Sequence, residues 1–408
     1  MLIATVVVLA GLLAVAVLSQ RRDYRLGGVM VLPLLAIYTF RELFSPVVFV
    51  LATGASFAVL WGLREYTLTH GRRLFLASVV VGAVASLIVT FALSSLFPER
   101  IDYQHAEIVG SIFPGIAAYN FMRVDPDHRR RDLAATIVTY LLLVALGTVS
   151  LVALSGFKTG LPAFLYLPTS DVVSTLSLQP VGEPAARVVP EWLTVALLLL
   201  DVALYEFVRA RYDLRLAGVI LVPLLAVFSV RFGMSAFAYV LGATAVFAII
   251  SIVHWVTLLY GRNLLAIGLV SGLLFGVGIG TLTGASAPGI VVFFIGIFTG
   301  IGAYNLHRTA PRNRTASIRL SAGLFVIFYV VLLAFVDPPT SAFAHPPNLL
   351  YAVAGTVVLG LAGLTVCRLE RSIPDGQAFA RESVFASADV DGASITDSPL
   401  IATEGEQS

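Results

Sequence analysis

The sequence predicts an all-α fold, a polytopic membrane bundle of about thirteen transmembrane helices in two parallel six-helix repeats with short, proline-interrupted segments. Three observations support this class. Of the 408 residues, 58% are hydrophobic and only 12% are charged, and soluble domains carry about twice that charged share. The chain also contains long apolar runs, and its two halves align with each other. The low charged fraction excludes a cytosolic enzyme and a nucleic-acid binder. A secreted disulfide scaffold is also excluded, because the single cysteine, Cys367, has no internal partner.

Ten apolar runs are long enough to cross the hydrocarbon core, which takes roughly 20 residues. They are 2–19, 43–63, 74–97, 133–155, 192–208, 234–253, 263–283, 291–307, 320–336 and 349–367. Three shorter runs are 26–40, 109–122 and 216–230. These three either cross while neighbouring helices shield them, or enter the lipid bilayer and return.

The positions of the basic residues test the number of crossings, because cytoplasmic loops carry an excess of Lys and Arg. If all thirteen runs cross and the N-terminus is outside, 21 of the 26 basic residues fall on inner segments. One miscounted span would invert the orientation of every later loop and remove this bias of basic residues. We therefore expect the short runs to cross. The chain is then a multi-pass cell-membrane protein with a cytoplasmic C-terminus. Arg21 and Arg22 follow the first run, which favours an N-out helix over a cleavable signal peptide.

A shift of 190 residues aligns the first half of the chain with the second. It pairs residues 25–36 with 215–226, Arg41 with Arg231, and Arg72 with Arg262. After a five-residue deletion, residues 115–123 pair with 300–308. A repeat of six helices contains an even number of crossings, so the two copies have the same orientation and are related by an axis along the membrane normal.

The repeat divides the chain into five parts. They are a first membrane repeat at 1–155, an extracytoplasmic linker at 156–191, a second membrane repeat at 192–336, an extra C-terminal helix within 337–370, and a tail at 371–408. The tail holds seven acidic residues against two arginines. Few aromatic residues and many acids are typical of disorder, so we expect a disordered cytoplasmic extension.

Pro33 and Pro223 occupy equivalent positions in two of the short runs. A proline inside a helix removes a hydrogen bond and frees a carbonyl group, so we expect both segments to be interrupted. Interrupted segments at matching positions favour a binding site between the repeats. The alternative is that duplicated genes retain helix kinks without any functional role.

The pattern Gly-Ile-x-Ala-Tyr-Asn-x-x-Arg occurs once in each repeat. Its candidate functional residues are Gly115, Asn120 and Arg123 in the first copy, after Pro114, and Gly300, Asn305 and Arg308 in the second. Small residues let helices approach closely, an Asn amide can bond a broken helix end, and the Arg lies at the cytoplasmic interface. A helix end with an interfacial tyrosine and a topology-setting arginine would give the same pattern.

Charged residues inside or beside the apolar runs are further candidates. Asp201 lies in the middle of a run, and Glu206 lies nearer its inner end. A buried acid in a membrane helix indicates an ion or proton site, unless an arginine elsewhere pairs with it. Arg41 and Arg231 lie at equivalent outer helix ends, where they either extend to the interface or favour an anionic product.

Glycines recur every four residues in the run at 263–283, at Gly272, Gly276, Gly280 and Gly284. Gly296 and Gly300 continue this spacing in the next run. A glycine face of this kind predicts close helix packing. The local Gly-x-Gly spacing follows no strand, so it does not indicate a dinucleotide loop.

Motifs for catalysis, metal binding or cofactor binding are absent from the sequence. The only lysine, Lys158, belongs to no phosphate-binding loop, and the six histidines show no ligand spacing. We therefore expect no catalytic residue, metal or cofactor in this chain, and we expect a partner to perform any chemistry.

Three segments, in this order and spacing, carry a resemblance to a known family. They are residues 27–33, 70–75 and 109–117, with second copies at 217–223, 260–262 and 300–301. The chain resembles the small membrane subunit of poly-gamma-glutamate synthase, the PgsC/CapC family of capsule biosynthesis. The resemblance covers residues 20–125 and 209–310, so this chain looks like a tandem duplication of that subunit.

The resemblance implies a noncatalytic subunit that assembles with an ATP-dependent amide ligase, the PgsB/CapB component, and with an export subunit. In that hypothesis the cytoplasmic ends around Arg72, Arg123, Arg262 and Arg308 bind the ligase and hold its anionic polymer. The alternative hypothesis is a secondary transporter with its site between the repeats and Asp201 as the coupling acid.

Overall fold

The computed structural model describes residues 1–22, 24–97, 112–155, 160–168, 170–181, 189–284, 287–336 and 349–372. Regular structure in these ranges is entirely helical, with fourteen α-helices and one short 3-10 turn. The predicted all-α class is therefore confirmed, and each of the thirteen apolar runs contains a helix. The described residues up to Ala362 form one compact unit, and the described residues from Gly363 to Ser372 belong to a second. The predicted disordered tail lies outside the described residues from 373 onwards.

The two repeats contain the same succession of long and short helices. The first repeat contains α1 (Leu2–Arg22), α2 (Val31–Arg41), α3 (Ser45–Thr67), α4 (Gly71–Leu96), α5 (Phe113–Met122) and α6 (Arg129–Leu154). The linker contains the short helix α7 (Asp171–Thr175). The second repeat contains α8 (Glu191–Tyr212), α9 (Leu221–Arg231), α10 (Ser235–Thr257), α11 (Arg262–Thr283), α12 (Gly289–Arg308) and α13 (Pro311–Phe335), and α14 (Leu349–Ser372) follows.

Nine of the described helices are long and apolar enough to cross a membrane. They are α1, α3, α4, α6, α10, α11, α12, α13 and α14. Helix α8 is as long as these, but Asp201, Glu206 and Arg209 lie within it. Helices α2 and α9 are apolar but have only 11 residues each, which makes them about 16 Å long, roughly half of the hydrocarbon core.

Each repeat consists of two groups of three helices. In the first repeat α3, α4 and α5 pack together, and α1, α2 and α6 form the other group. In the second repeat α10, α11 and α12 pack together, while α9 packs against both α8 and α13. The sixth helix of each repeat thus returns beside the short second helix.

The repeats contact each other through their first and fourth helices. Helix α1 packs against α11, and α8 packs against α4. The two interfaces are equivalent, because α1 corresponds to α8 and α4 corresponds to α11. Such a pair of equivalent interfaces is expected for two copies related by a two-fold axis.

The prolines of the short helices do not interrupt them, and that prediction is wrong. The helices begin at Val31 and Leu221, so Pro33 and Pro223 lie in the first turn, where a backbone N–H has no intrahelical acceptor in any case. The segments are short because the residues before them form loops. In the first repeat the Pro33 ring packs against α1 at Gly11, where a Cβ would lie 2.4 Å from the Pro33 Cγ.

Part of the linker packs into the helical bundle. Phe164 is fully buried, and its ring centroid lies 5.2 Å from that of Phe293 at the start of α12. The Ser170 hydroxyl donates to the Phe40 carbonyl near the end of α2, and the Leu43 N–H donates to the Asp171 carboxylate at 2.9 Å. The described parts of the linker therefore cover the ends of α2 and the start of α12.

Glycines allow the fourth and fifth helices of each repeat to pack in close contact. A Cβ on Gly272 would lie 2.2 Å from the Gly296 carbonyl oxygen, and one on Gly300 would lie 2.6 Å from the Gly268 carbonyl oxygen. The predicted glycine face ends before Gly284, which caps α11 with a positive φ and where an added Cβ would meet nothing within 4 Å.

We expect Gly272→Ala to destabilise the protein, because the added methyl group overlaps the α12 backbone and forces the two helices apart. The expected loss is about 1–3 kcal/mol. Gly278→Ala is the matched control on the same helix, since a Cβ there meets nothing within 4 Å; it should leave stability unchanged or raise it slightly. Thermal unfolding of the purified protein in detergent measures both. Equal melting temperatures for the two variants would contradict the packing.

Candidate functional site

A loop leads from the first helix of each repeat into its short second helix, and an asparagine holds each loop. In the first repeat the Asn120 amide donates to the Gly27 carbonyl at 3.0 Å. In the second repeat the Asn305 amide donates to the Ala217 carbonyl at 2.6 Å. Both asparagines belong to the repeated Tyr-Asn pattern. Each satisfies a carbonyl group that the loop leaves outside any helix.

The sixth helix of each repeat supplies further partners for these loops. The buried Asp132 carboxylate accepts hydrogen bonds from the Arg25 N–H at 2.7 Å and the Leu26 N–H at 3.2 Å. At the equivalent position in the second repeat, the Ser317 hydroxyl donates to the Arg215 carbonyl, and one turn later the Ser321 hydroxyl accepts from the Ala217 N–H at 2.9 Å. Sequence reasoning missed these residues.

The two copies of the Tyr-Asn pattern lie at the same end of the bundle. The Tyr119 hydroxyl, near the end of α5, donates to the Gly71 carbonyl at the start of α4 at 3.3 Å. Arg72, which follows Gly71 in α4, lines a cavity together with Arg308 at the end of α12. We call the end that carries Arg72, Arg123, Arg262 and Arg308 the arginine-rich end.

The cavity at this end lies between the repeats and has a volume of about 230 Å³. Helix α4 is the part of the first repeat that lines it, and α8, the loop before α9, and α12 line the rest. The lining residues are Arg72, Phe75, Leu76, Tyr205, Arg209, Arg215, Leu216, Val219, Asn305 and Arg308. Four of these ten side chains are arginines, so the cavity is cationic. We call it the inter-repeat cavity.

Arg72 makes the contact between the repeats at the inter-repeat cavity. Its guanidinium Nη2 lies 3.3 Å from the Glu206 Oε2, and its guanidinium carbon lies 4.9 Å from the centroid of the Tyr205 ring. The ion pair lacks hydrogen-bond geometry, since neither of these two buried atoms has a hydrogen-bond partner among the described residues. Arg72 is therefore paired by charge but not held by a directed bond.

The other three arginines of the inter-repeat cavity have no acidic partner in the described part of the chain. Arg308 stacks over the Tyr304 ring, with 5.6 Å between the guanidinium carbon and the ring centroid. Among the described residues, the ion pair at the cavity is that of Arg72 with Glu206. The cavity thus has a net positive charge that an anion could neutralise.

Asp201 lies one helical turn from Tyr205 on α8, farther from the arginine-rich end. It is fully buried, and within the described ranges neither carboxylate oxygen has a hydrogen-bond partner. Thr194, two turns farther along α8, is also fully buried with an unpartnered hydroxyl. Buried polar groups normally have partners, so Asp201 remains a functional candidate. The arginine partner considered from the sequence is not found in those ranges.

The equivalent interface between α1 and α11 has a different character. By the 190-residue shift, Gly11, Val15, Ala16 and Ser19 of α1 stand where α8 has Asp201, Tyr205, Glu206 and Arg209. Arg262 is the counterpart of Arg72, and its Nη1 donates to the Ser19 hydroxyl at 3.2 Å. Charge is therefore concentrated at one of the two interfaces.

The remaining sequence candidates lie away from the inter-repeat cavity. Arg123 donates to the Tyr119 hydroxyl at 3.4 Å within the first repeat. Pro114 and Gly115 lie in the first turn of α5, where a Cβ on Gly115 would lie 2.8 Å from the Gly82 Cα. Arg41 and Arg231 end α2 and α9. The structure thus brings together Arg72, Asn305 and Arg308, and adds Tyr205, Arg209 and Arg215 to them.

The fold and the cavity define a polytopic α-helical membrane protein made of two like-ordered repeats, with a cationic cavity between them. The profile of the family described as Capsule biosynthesis CapC matches residues 10–130 and 200–316, once in each repeat and over more than half of the chain. The chain belongs to this family, in a duplicated arrangement, which confirms the resemblance drawn from the sequence. All residues that line the inter-repeat cavity fall within the matched ranges. Neither a curated protein nor a solved structure matches the chain.

We expect Asn305→Ala to loosen the loop at residues 214–220, which lines the inter-repeat cavity. The substitution removes the bond to the Ala217 carbonyl, worth about 1 kcal/mol, so amide hydrogen exchange of this loop should become about fivefold faster. Asn313→Ala is the control, because no side-chain bond of Asn313 holds a loop. Unchanged exchange in the Asn305 variant would show that the asparagine does not hold the loop.

Proposed function

We propose that this chain is a noncatalytic membrane subunit of a poly-gamma-glutamate type capsule synthase complex. In this proposal its arginine-rich end faces the cytoplasm and binds an ATP-dependent amide ligase of the PgsB/CapB kind, and an export subunit completes the complex. Family membership supports a membrane subunit of capsule synthesis. The observation that carries the finer proposal is the inter-repeat cavity with its four arginines.

The charge of the polymer agrees with the charge of the cavity. In a γ-linked glutamate chain every unit keeps one free carboxylate, so the polymer is a polyanion. Guanidinium groups bind carboxylates through paired hydrogen bonds and remain charged at all physiological pH values. A cationic surface at the point where a ligase releases such a chain would raise its local concentration at the membrane.

The distribution of arginines along the chain supports the cytoplasmic orientation of this end. The predicted inner segments hold 21 of the 26 basic residues, and the excess of Arg on cytoplasmic loops is a general property of inner and plasma membrane proteins. An ATP-dependent ligase works on the cytoplasmic side of the membrane, so it can bind the arginine-rich end in this orientation.

We expect the double variant Arg72→Gln, Arg308→Gln to lower capsule polymer by about tenfold or more, because two carboxylate contacts of the cavity are lost. The measurement is polymer yield from cells with matched membrane levels of the protein. The control is Arg73→Gln, Arg312→Gln, which removes two exposed arginines within four residues of Arg72 and Arg308 in the chain and should keep yield within about twofold.

The complex itself is tested by purification in detergent. We expect a tagged chain to recover a ligase with ATPase activity, and we expect deletion of the gene to abolish the capsule polymer. If no such ligase is recovered and the polymer is unchanged in the deletion strain, the proposed function is wrong.

A secondary transporter is the second candidate, and the buried, unpartnered Asp201 favours it. In that function Asp201 would take up and release a proton while a substrate occupies the space between the repeats. Proteoliposomes with an imposed pH gradient distinguish the two functions. Substrate uptake that Asp201→Asn abolishes, with capsule polymer unchanged in the same variant, would favour the transporter.

A further inference from the structure

We propose that the inter-repeat cavity is a binding site for one carboxylate ligand, in which Glu206 occupies Arg72 until the ligand displaces it. The choice of a γ-glutamyl unit as the ligand rests on the proposed function. The site itself rests on the geometry of Arg72, Glu206 and the three other arginines. In this inference the Glu206 carboxylate competes with the ligand carboxylate for Arg72.

Glu206 already presents a carboxylate to the position where a ligand carboxylate would bind. Its Oε2 lies 3.3 Å from the Arg72 Nη2 without hydrogen-bond geometry. The two side chains keep 27% and 39% of their surface exposed, whereas the paired Nη2 and Oε2 atoms are themselves buried, so a ligand reaches the Arg72 Nη2 only by displacing Glu206. A ligand that forms two directed bonds to the guanidinium can replace an ion pair that forms none.

The charge around the site favours this exchange. Arg209, Arg215 and Arg308 line the same cavity and have no acidic partner in the part of the chain that the structure describes. Within that part of the chain the four arginines thus have one acidic partner, Glu206, which pairs with Arg72. A ligand carboxylate in the cavity is attracted by these three cations as well as by Arg72.

The size of the cavity restricts the ligand. A volume of about 230 Å³ equals that of roughly eight water molecules, and pockets for drug-sized ligands begin at about 300 Å³. A single amino-acid unit fits this volume. The ligand class is therefore a small carboxylate, such as the free end or one unit of a γ-glutamyl chain.

The duplication limits the site to one per chain. At the equivalent interface Ala16 replaces Glu206, Val15 replaces Tyr205 and Ser19 replaces Arg209. Arg262 bonds the Ser19 hydroxyl there. The α1–α11 interface therefore lacks both the competitor and one of the cations, and it serves as an internal control for the α4–α8 interface.

The test is isothermal titration of the full-length protein, in nanodiscs of zwitterionic phosphatidylcholine, with the dipeptide γ-glutamyl-glutamate. We expect one binding site per chain. Arg72→Gln should weaken binding more than about tenfold, and Glu206→Gln should strengthen it about tenfold because the competitor is gone. The matched controls are Arg262→Gln at the equivalent interface and Glu65→Gln, an exposed acid on α3 near the same end. Each control should change the affinity less than about twofold.

Several results would overturn the inference. Glu206→Gln and Glu65→Gln with the same effect would mean that only long-range charge matters. Two sites per chain, or equal losses from Arg72→Gln and Arg262→Gln, would contradict a single site at α4–α8. Binding of inorganic phosphate or of phosphatidylglycerol nanodiscs, through Arg72 and without dipeptide binding, would make it a phosphate or lipid site instead.

These outcomes are distinct from failure of the proposed function. If the dipeptide binds with the expected responses but no ligase copurifies, the carboxylate site stands and the synthase complex does not. If a ligase copurifies and the dipeptide does not bind, the inference fails alone. Because Glu206→Gln is expected to gain affinity, a folding defect cannot imitate the expected result.

Discussion

Backbone groups in the loops before α2 and α9 have no helix to bond to, and inside a membrane bundle each must find a partner within the chain. The partners are side chains of the fifth and sixth helices. Asn120 and Asp132 serve the first loop, and Asn305, Ser317 and Ser321 serve the second. Each loop thereby connects the two three-helix groups of its repeat. The rest of the fold depends on this, because the short helices are placed by loops that these side chains fix.

The duplication and the cavity are connected through the first helix of each repeat. Two equivalent interfaces began with the same helix pairing, but α8 now carries Asp201, Tyr205, Glu206 and Arg209 where α1 carries small or apolar residues and one serine. Gly11 of α1 packs against Pro33 within its own repeat, and at the interface with α11 the helix offers Arg262 the Ser19 hydroxyl. The second repeat instead places charge beside Arg72. One copy thus serves packing, and the other forms a polar site between the repeats.

Length and hydropathy predicted thirteen of the fourteen described helices, because the hydrocarbon core sets both, and they missed the short linker helix α7. The role of Pro33 could not be predicted, since loop residues 26–30 are as apolar as the helix that follows, and the proline looked internal. Asp132 was missed because it follows three arginines that look like a topology signal. The repeated pattern pointed to Asn305 and its neighbours, whereas Arg209 joins the site only once α4 is known to lie beside α8. Helices that are apolar on all sides do not reveal their neighbours.

The central claim is that the two repeats have the same orientation and share one arginine-rich side. Its most direct test places single cysteines, Arg130→Cys and Arg312→Cys, in a Cys367→Ser background. Both positions are exposed and lie in the first turns of α6 and α13. A membrane-impermeant maleimide should label both in inside-out vesicles and neither in intact cells. Labelling of one position from each side of the membrane would contradict the parallel arrangement of the repeats.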